Sequence, residues 1–421
     1  MELNEYIEAG LTHSIHTSER RSFRGCRRRW DWVSRQFYYP NVTARPLEFG
    51  VAFHAAMEEY YRSYLGLFVN PDPTASLAVA LATFTRVTKK QRADYVKKNG
   101  PLDDEMSNDY ADRINLGTKM LKYYFTRVAP KAHAGLKPVK VEIKFEVPIL
   151  SPFSSEQDLW CTCDTCWRRY AAWYKNTEGI EIDARLESEW KGLPVTFGGR
   201  LDILFEDAEG RYWIGDWKTA ARLSGTEASD EYLWNDDQIT GYVWALRSLG
   251  IRVEGFLYVE IKKAVPEQPE PLARPRLGKL FSTNKQMTTS AELYEETVRE
   301  CDPSAYESGL YDEFIQYLKE TGPEFSRWHP VYRNDEECRQ AHYNLWLEAG
   351  EMTNPRLPIY PNQGRFHCKG LTPSSGCAFW EPCLAKNRGE DFRYALDTMY
   401  EKRARHYWED AEPTTEKRSA V

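Results

Sequence analysis

What most constrains this chain is the order in which its hydrophobic period changes. Residues Leu47 to Leu65, Ala75 to Lys98 and Glu105 to Val128 follow the three-and-four spacing of helices. Val51, His54, Met57, Glu58 and Tyr61 share a face of the first, and Ile114, Gly117, Leu121, Phe125 and Val128 a side of the third. Gly117 on that side predicts the close approach of a neighbouring helix. The period then drops to two over Val139 to Leu150, a β-branched strand signal. Strands over Val195 to Phe205 and Tyr212 to Trp217, joined by the turn-forming Glu206 to Arg211, come next. A helix from Asp236 to Leu249 and a fourth strand from Val253 to Lys262 complete the series. Strand, strand, strand, helix, strand behind N-terminal helices predicts a mixed α/β core.

The flanks are less regular. Thr17 to Tyr39 reads as one basic, aromatic helix capped by Thr17 or Ser18. Ala264 to Pro275, with four prolines, reads as an extended connector, Ala291 to Leu347 as mostly helical, and Asp410 to Val421 as a frayed tail. Three regions are expected: 1–135, helical; 136–263, the core, with a cysteine-rich insert over roughly 151–192; and 264–421, helical.

Composition narrows the class. Hydrophobic residues at 42% suffice for a large core, and no apolar run approaches the length of a membrane span. The first residues lack a signal-peptide pattern, so a cytoplasmic protein away from membranes is expected. The 56 Lys and Arg against 63 Asp and Glu leave a formal charge of −7. Ser18 to Arg35 nevertheless holds seven Arg against two acids, a local +5 that reads either as a solvated helix face or as a landing strip for phosphates. No phosphate-binding P-loop is present, so the chain carries no ATP motor of its own.

Chemistry concentrates in Gly198 to Ala220. Asp202 lies in one strand and Asp216 at the end of the next, so a single hairpin can bring both carboxylates to one hard divalent cation. Lys218, two residues on, points to the same face as Asp216. Two acids and an ammonium at a strand end suit phosphodiester hydrolysis. The plainer alternative is a polar strand face.

Cysteine is the second signal. Nine cysteines in a long chain without a secretion pattern favour metal ligation over disulfides. Cys161, Cys163 and Cys166 fit a zinc knuckle lacking an evident fourth ligand; Asp164, Cys301 and Cys338 are candidates, and free thiols or a disulfide are the alternatives. Cys26 with Cys368, Cys377 and Cys383 makes a set of four thiolates, which suits an iron–sulfur cluster, with a four-cysteine zinc site or free thiols as alternatives.

The Gly-Arg-Leu-Asp of 199–202 with the Asp-Trp-Lys-Thr of 216–219 resembles the PD-(D/E)xK nuclease superfamily, in its RecB-like branch. Gln238 and Tyr242 resemble the family's Q-x3-Y element, His54 its upstream histidine and Glu142 its first-strand acid. Thr17 to Trp32 is similar to the opening of AddB-type and CRISPR-associated exonucleases, with Cys26 at the family cysteine. No proline precedes Asp202, and Arg27 stands where the family has proline. The resemblance implies a restriction-endonuclease-like α/β mixed sheet within a helical N- and C-terminal envelope closed by a 4Fe-4S cluster on Cys26, Cys368, Cys377 and Cys383. Here the spacing between Cys368 and Cys377 is longer than the family's usual two residues.

It implies a metal-dependent DNA nuclease, an exonuclease before an endonuclease, acting in recombination, repair or DNA processing. His54, Asp202, Asp216 and the carbonyl of Trp217 would hold Mg or Mn, Lys218 would act on the water, and Glu142 would support the metal or its water. Gln238 and Tyr242 would contact DNA, single-stranded or at duplex ends, with Arg27, Arg28 and Arg29 steering phosphates. A helicase, recombinase or single-strand-binding protein is the expected partner. The alternatives are a DNA-binding scaffold with a vestigial site, a CRISPR-adaptation end-processing nuclease, and an iron–sulfur redox protein.

Overall fold

The computed structural model describes residues 2–41, 45–66, 72–179, 181, 190–223, 227–364, 368 and 376–403. The expected tail beyond Asp410 lies outside them, as do residues 369–375 of the loop between Cys368 and Cys377. One mixed sheet organises the rest. Its strands are β1 (His13–Ile15), β2 (Lys137–Pro148), β3 (Trp160–Cys161), β4 (Leu193–Glu206), β5 (Tyr212–Ala220), β6 (Val253–Lys262) and β7 (Ser326–Tyr332). The path runs β1-β4-β5-β6-β7, with β2 and β3 also paired to β4. The β4–β5 hairpin is antiparallel, whereas β5 and β6 are parallel, joined through a helix, as a mixed sheet requires.

The helices used below are α1 (Thr17–Gly25), α2 (Arg45–Gly66), α3 (Pro73–Asn99), α4 (Asp104–Tyr123), α5 (Asp164–Glu178), α6 (Asp237–Ser248) and α7 (Asp335–Met352). On one side of the sheet, Phe53, Met57 and Tyr61 of α2 pack with Phe84, Tyr124, Phe205 and Trp217. On the other, Ile239, Val243 and Leu246 of α6 pack with Leu204, Ile214 and Phe256. Residues 204 and 205 thus serve opposite cores, the alternation that marks a strand covered on both faces. Gly117 has the expected role: a Cβ there would lie 2.0 Å from the Phe84 ring of α3.

Four expectations change. The basic segment is not one helix: α1 stops at Cys26, which is extended (φ −164°, ψ 112°), and Arg27–Trp30 begins a new turn. The α1 N-cap is His16, without a side-chain cap bond, rather than Thr17 or Ser18. The connector is partly a hairpin, since Pro271–Arg276 pairs with Lys279–Phe281 across Leu277 and Gly278, both at positive φ. The region 291–347 contains β7, hidden in the sequence by Pro330. Proline is tolerated there because, among the described residues, β7 ends the sheet path and pairs with β6 alone. β1 is too short to show a period.

Candidate active site

The hairpin ladder between β4 and β5 extends only to the pair Ile203 and Gly215. Beyond it β5 continues beside β6, while β4 is joined on that side by β1, parallel over residues 195–197. The two strands therefore part where Asp202 and Asp216 stand. Side chains replace the lost ladder: the Trp217 N–H donates to Asp202 Oδ2 at 3.3 Å. The Trp217 ring is buried, stacked on Tyr61 and donating from Nε1 to the Tyr124 hydroxyl at 2.7 Å, so only its backbone faces the acids.

His54 reaches the fork from α2, held between buried Phe53 and Met57, with Nδ1 3.1 Å from Asp202 Oδ2. Lys218 Nζ spans both oxygens of Asp216, at 2.9 and 2.7 Å. On β2, Glu142 has φ +50°, a left-handed conformation strained for a residue with a side chain. The register puts it across from Asp202, between Val141↔Ile203 and Ile143↔Leu201. It pairs with Arg200 Nε at 2.7 Å.

The charges are interdependent. Burial would discharge His54, yet the attraction of Asp202 outweighs it and raises its pKa. Burial likewise works against ionised Asp202, but the His54 contact, Lys218 and the Trp217 amide lower its pKa. Burial raises that of Asp216 despite Lys218. Lys218 is held above the usual lysine range because Asp216 and Asp202 overcome its desolvation. Burial, reinforced by Asp202 and Glu58, pushes Glu142 up to about 7.

The donor set fits a hard divalent cation. Asp216 Oδ2 and Glu142 Oε2 are shielded from water and accept no well-formed hydrogen bond, although each is met by a cationic side chain. Carboxylate oxygens and an imidazole are the ligands Mg or Mn takes.

Gln238 and Tyr242 stand on α6, whose N-cap Asp236 accepts from the Gln238 and Ile239 amides. The Tyr242 ring is packed on Phe145 and Phe197. Its hydroxyl remains in the field of the acids: burial, then Asp216, push its pKa up to about 12. Two residues escaped sequence reasoning as parts of this site. Glu58 lies one turn beyond His54, the signal that could have found it, and burial raises its pKa. Arg200 stands inside the quoted motif two residues before Asp202.

Several arginines of the basic segment are engaged in ion pairs. Arg20 and Arg24 pair with Asp237 and Glu348, Arg21 with Asp236, and Arg27 with Glu351. Arg28 is buried and donates to Asn387 Oδ1 at 2.6 Å and to Cys383 Sγ at 3.3 Å, so its charge braces the cysteine loop and cannot meet a phosphate. Arg29 is exposed.

Cys26, Cys368, Cys377 and Cys383 line one cavity of about 60 Å³ with Arg28, Arg29 and Trp32. The Asn362 amide donates to Cys26 Sγ at 3.3 Å, and the Cys368 thiol donates to the Asn362 carbonyl at 3.1 Å. Burial and the neighbouring sulfurs raise the pKa of Cys368.

Elsewhere, Cys161, Cys163 and Cys166 gather around His13, a residue the sequence did not single out. The fourth-ligand candidates fall away: Cys301 is exposed, Cys338 lies buried on α7 near Arg247, and Asp164 is not in the group.

Among the described residues no helix is long and apolar enough to cross a membrane. Residues 17–384 match the family model of the PD-(D/E)XK nuclease superfamily. No curated protein matches the sequence.

Proposed function

Because this chain belongs to the PD-(D/E)XK nuclease superfamily, whose members are metal-dependent nucleases, we propose that it is a deoxyribonuclease requiring Mg or Mn that trims DNA ends as an exonuclease. The observation that carries this reading is the convergence of His54, Glu142, Asp202, Asp216 and Lys218 where β4 and β5 part. A bound divalent ion would neutralise the scissile phosphate and lower the pKa of a water ligand. Asp202, Asp216 and His54 would hold it, with the Trp217 carbonyl adjoining.

Lys218, which meets both oxygens of Asp216, would act on the water, orienting it and stabilising the charge that builds on the phosphate. Glu142, with a proton affinity near neutrality, is suited to accept the proton that the water sheds. Arg200, half exposed beside Glu142, is positioned to meet a phosphate. The Tyr242 hydroxyl and Gln238 border the strand. The exonuclease preference and the DNA substrate rest on the resemblance of 17–32 to exonuclease openings. Unwinding would fall to a separate helicase, recombinase or single-strand-binding partner, since the sequence holds no P-loop.

The same resemblance supports a 4Fe-4S cluster on Cys26, Cys368, Cys377 and Cys383. Their sulfurs line one cavity. A single tetrahedral zinc would hold sulfurs about 3.8 Å apart, from Zn–S bonds of about 2.3 Å, whereas a four-iron cube spreads them. Anaerobically purified protein should contain iron and acid-labile sulfide, and Cys26→Ala should lose both. A zinc-loaded, iron-free preparation would favour the four-cysteine zinc site.

For the reaction, end-labelled single- and double-stranded DNA digested with Mn should shorten from an end, and Asp216→Asn should abolish cleavage while sparing DNA binding. Retained cleavage in that variant would refute the site. Binding without cleavage in the native protein would instead favour the scaffold.

A further inference from the structure

The cluster of His13 with Cys161, Cys163 and Cys166 belongs to none of the chemistry above. Three separate elements build it. Cys161 is in β3, whose pairing with Leu193 brings Gly192 so close that a Cβ there would lie 2.8 Å from the Cys161 carbonyl oxygen. Cys163 is the N-cap of α5, and Cys166 lies in that helix's first turn. His13 opens β1, which is parallel to β4 and lies 148 residues before Cys161.

All four ligand atoms lie within 4.8 Å of one another, and His13 Nδ1 is 3.2 Å from Cys166 Sγ. His13, Cys161 and Cys166 are buried, and the two cysteines belong to the main core with Leu11, Ile15 and Leu193.

From this geometry we propose that His13, Cys161, Cys163 and Cys166 bind one structural zinc ion. The donor chemistry selects the metal. Three thiolates and one imidazole are a standard zinc set, and tetrahedral bonds of about 2.3 Å to sulfur and about 2.0 Å to nitrogen draw ligand atoms to under 4 Å apart, a small contraction of the group seen here. Two of the thiols sit at the N-terminus of a 15-residue helix, whose dipole favours thiolate over thiol. Four protein ligands inside a core leave no open position, so the ion holds structure and performs no hydrolysis.

Its mechanical consequence reaches the active site. Zinc would tie β1 to the cysteine-rich insert, and β1 flanks β4 immediately before the motif. Ser14 and His16 press so closely on Gly198 that an added Cβ would meet the Ser14 Oγ at 2.2 Å and the His16 ring at 3.1 Å. The zinc thereby acts as a positioning device for the strand that carries Arg200 and Asp202.

The test is metal analysis of the full-length native protein together with zinc X-ray absorption. The expected result is about one zinc per chain with a shell of three sulfurs and one nitrogen. Loss of that zinc in His13→Ala, with iron content retained, would assign it here. Zinc surrounded by four sulfurs would place the ion at the other cysteine set and overturn the proposal. So would zinc-free native protein, or a disulfide among Cys161, Cys163 and Cys166 in peptide mapping under non-reducing conditions. Because His13 is buried and its replacement puts folding at risk, Cys163→Ser, at a half-buried helix cap, provides a second variant. Unchanged zinc in Cys163→Ser likewise overturns the proposal.

Discussion

Glu142→Gln separates the cost of this site from its benefit. In the metal-free protein the Glu142 carboxyl has its pKa raised from an ordinary 4.5 to about 7, by burial first and then by Asp202 and Glu58. The folded state therefore binds this proton more tightly than the unfolded chain. The contribution of this group to stability is fully present below pH 4.5 and is lost as pH rises through 7, when a buried carboxylate must be kept beside two other acids. At about 1.4 kcal/mol for each pH unit the rise corresponds to about 3.5 kcal/mol, of which about 2.5 kcal/mol is lost between pH 5 and pH 8.

Gln keeps the shape without the titration, and Arg200, half exposed, can turn to solvent when its partner loses charge. Urea denaturation in EDTA should show wild type losing stability relative to Glu142→Gln as pH rises from 5 to 8, by about 2 kcal/mol or more. Excess Mg should restore the wild type at pH 8, because the ion binds the folded state alone, and should help the variant far less. Cleavage by the variant should be lost. Parallel stability curves for the two proteins over this pH range would refute the reasoning.

Lys218→Ala should lower single-turnover cleavage by about a hundredfold or more while Mn affinity by calorimetry stays nearly unchanged; loss of both together would make Lys218 part of the metal's support only. Arg29→Ala should reduce the slope of log affinity against log salt by about 0.7 on single-stranded DNA, with iron content intact. Arg28→Ala should instead lower melting temperature and iron content, since its guanidinium meets Cys383 and Asn387. Gly117→Ala should destabilise the protein by about 1–3 kcal/mol in chemical denaturation, because the new Cβ collides with the Phe84 ring 2.0 Å away.

Local pattern alone determined the strands and helices that frame the site. Alternation identifies β2, β4, β5 and β6, and helical spacing puts His54 and Glu58 on one side of α2, because both periods follow from backbone geometry and survive any packing. The pairing of Asp216 with Lys218 was legible for the same reason, two residues apart on one strand. What tertiary structure alone decided were contacts between distant segments. The antiparallel ladder of β4 and β5 ends at Ile203 and Gly215, and this parting exposes the acids. Nothing in the period of either strand marks where a ladder stops.

The strand pattern placed Glu142 on β2 but carried no sign of its positive φ. The arginine run left a solvated face and a phosphate track both open, because a sequence shows like charges adjacent and hides partners such as Asp237, Glu348 and Glu351, more than 200 residues away. His13 had no signal at all: it stands in a strand of three residues, too short for a period, and meets the thiols only when β1 lies beside β4. A sequence discloses what neighbouring residues do to one another; the meeting of His13 with three remote thiols is a property of the packed chain.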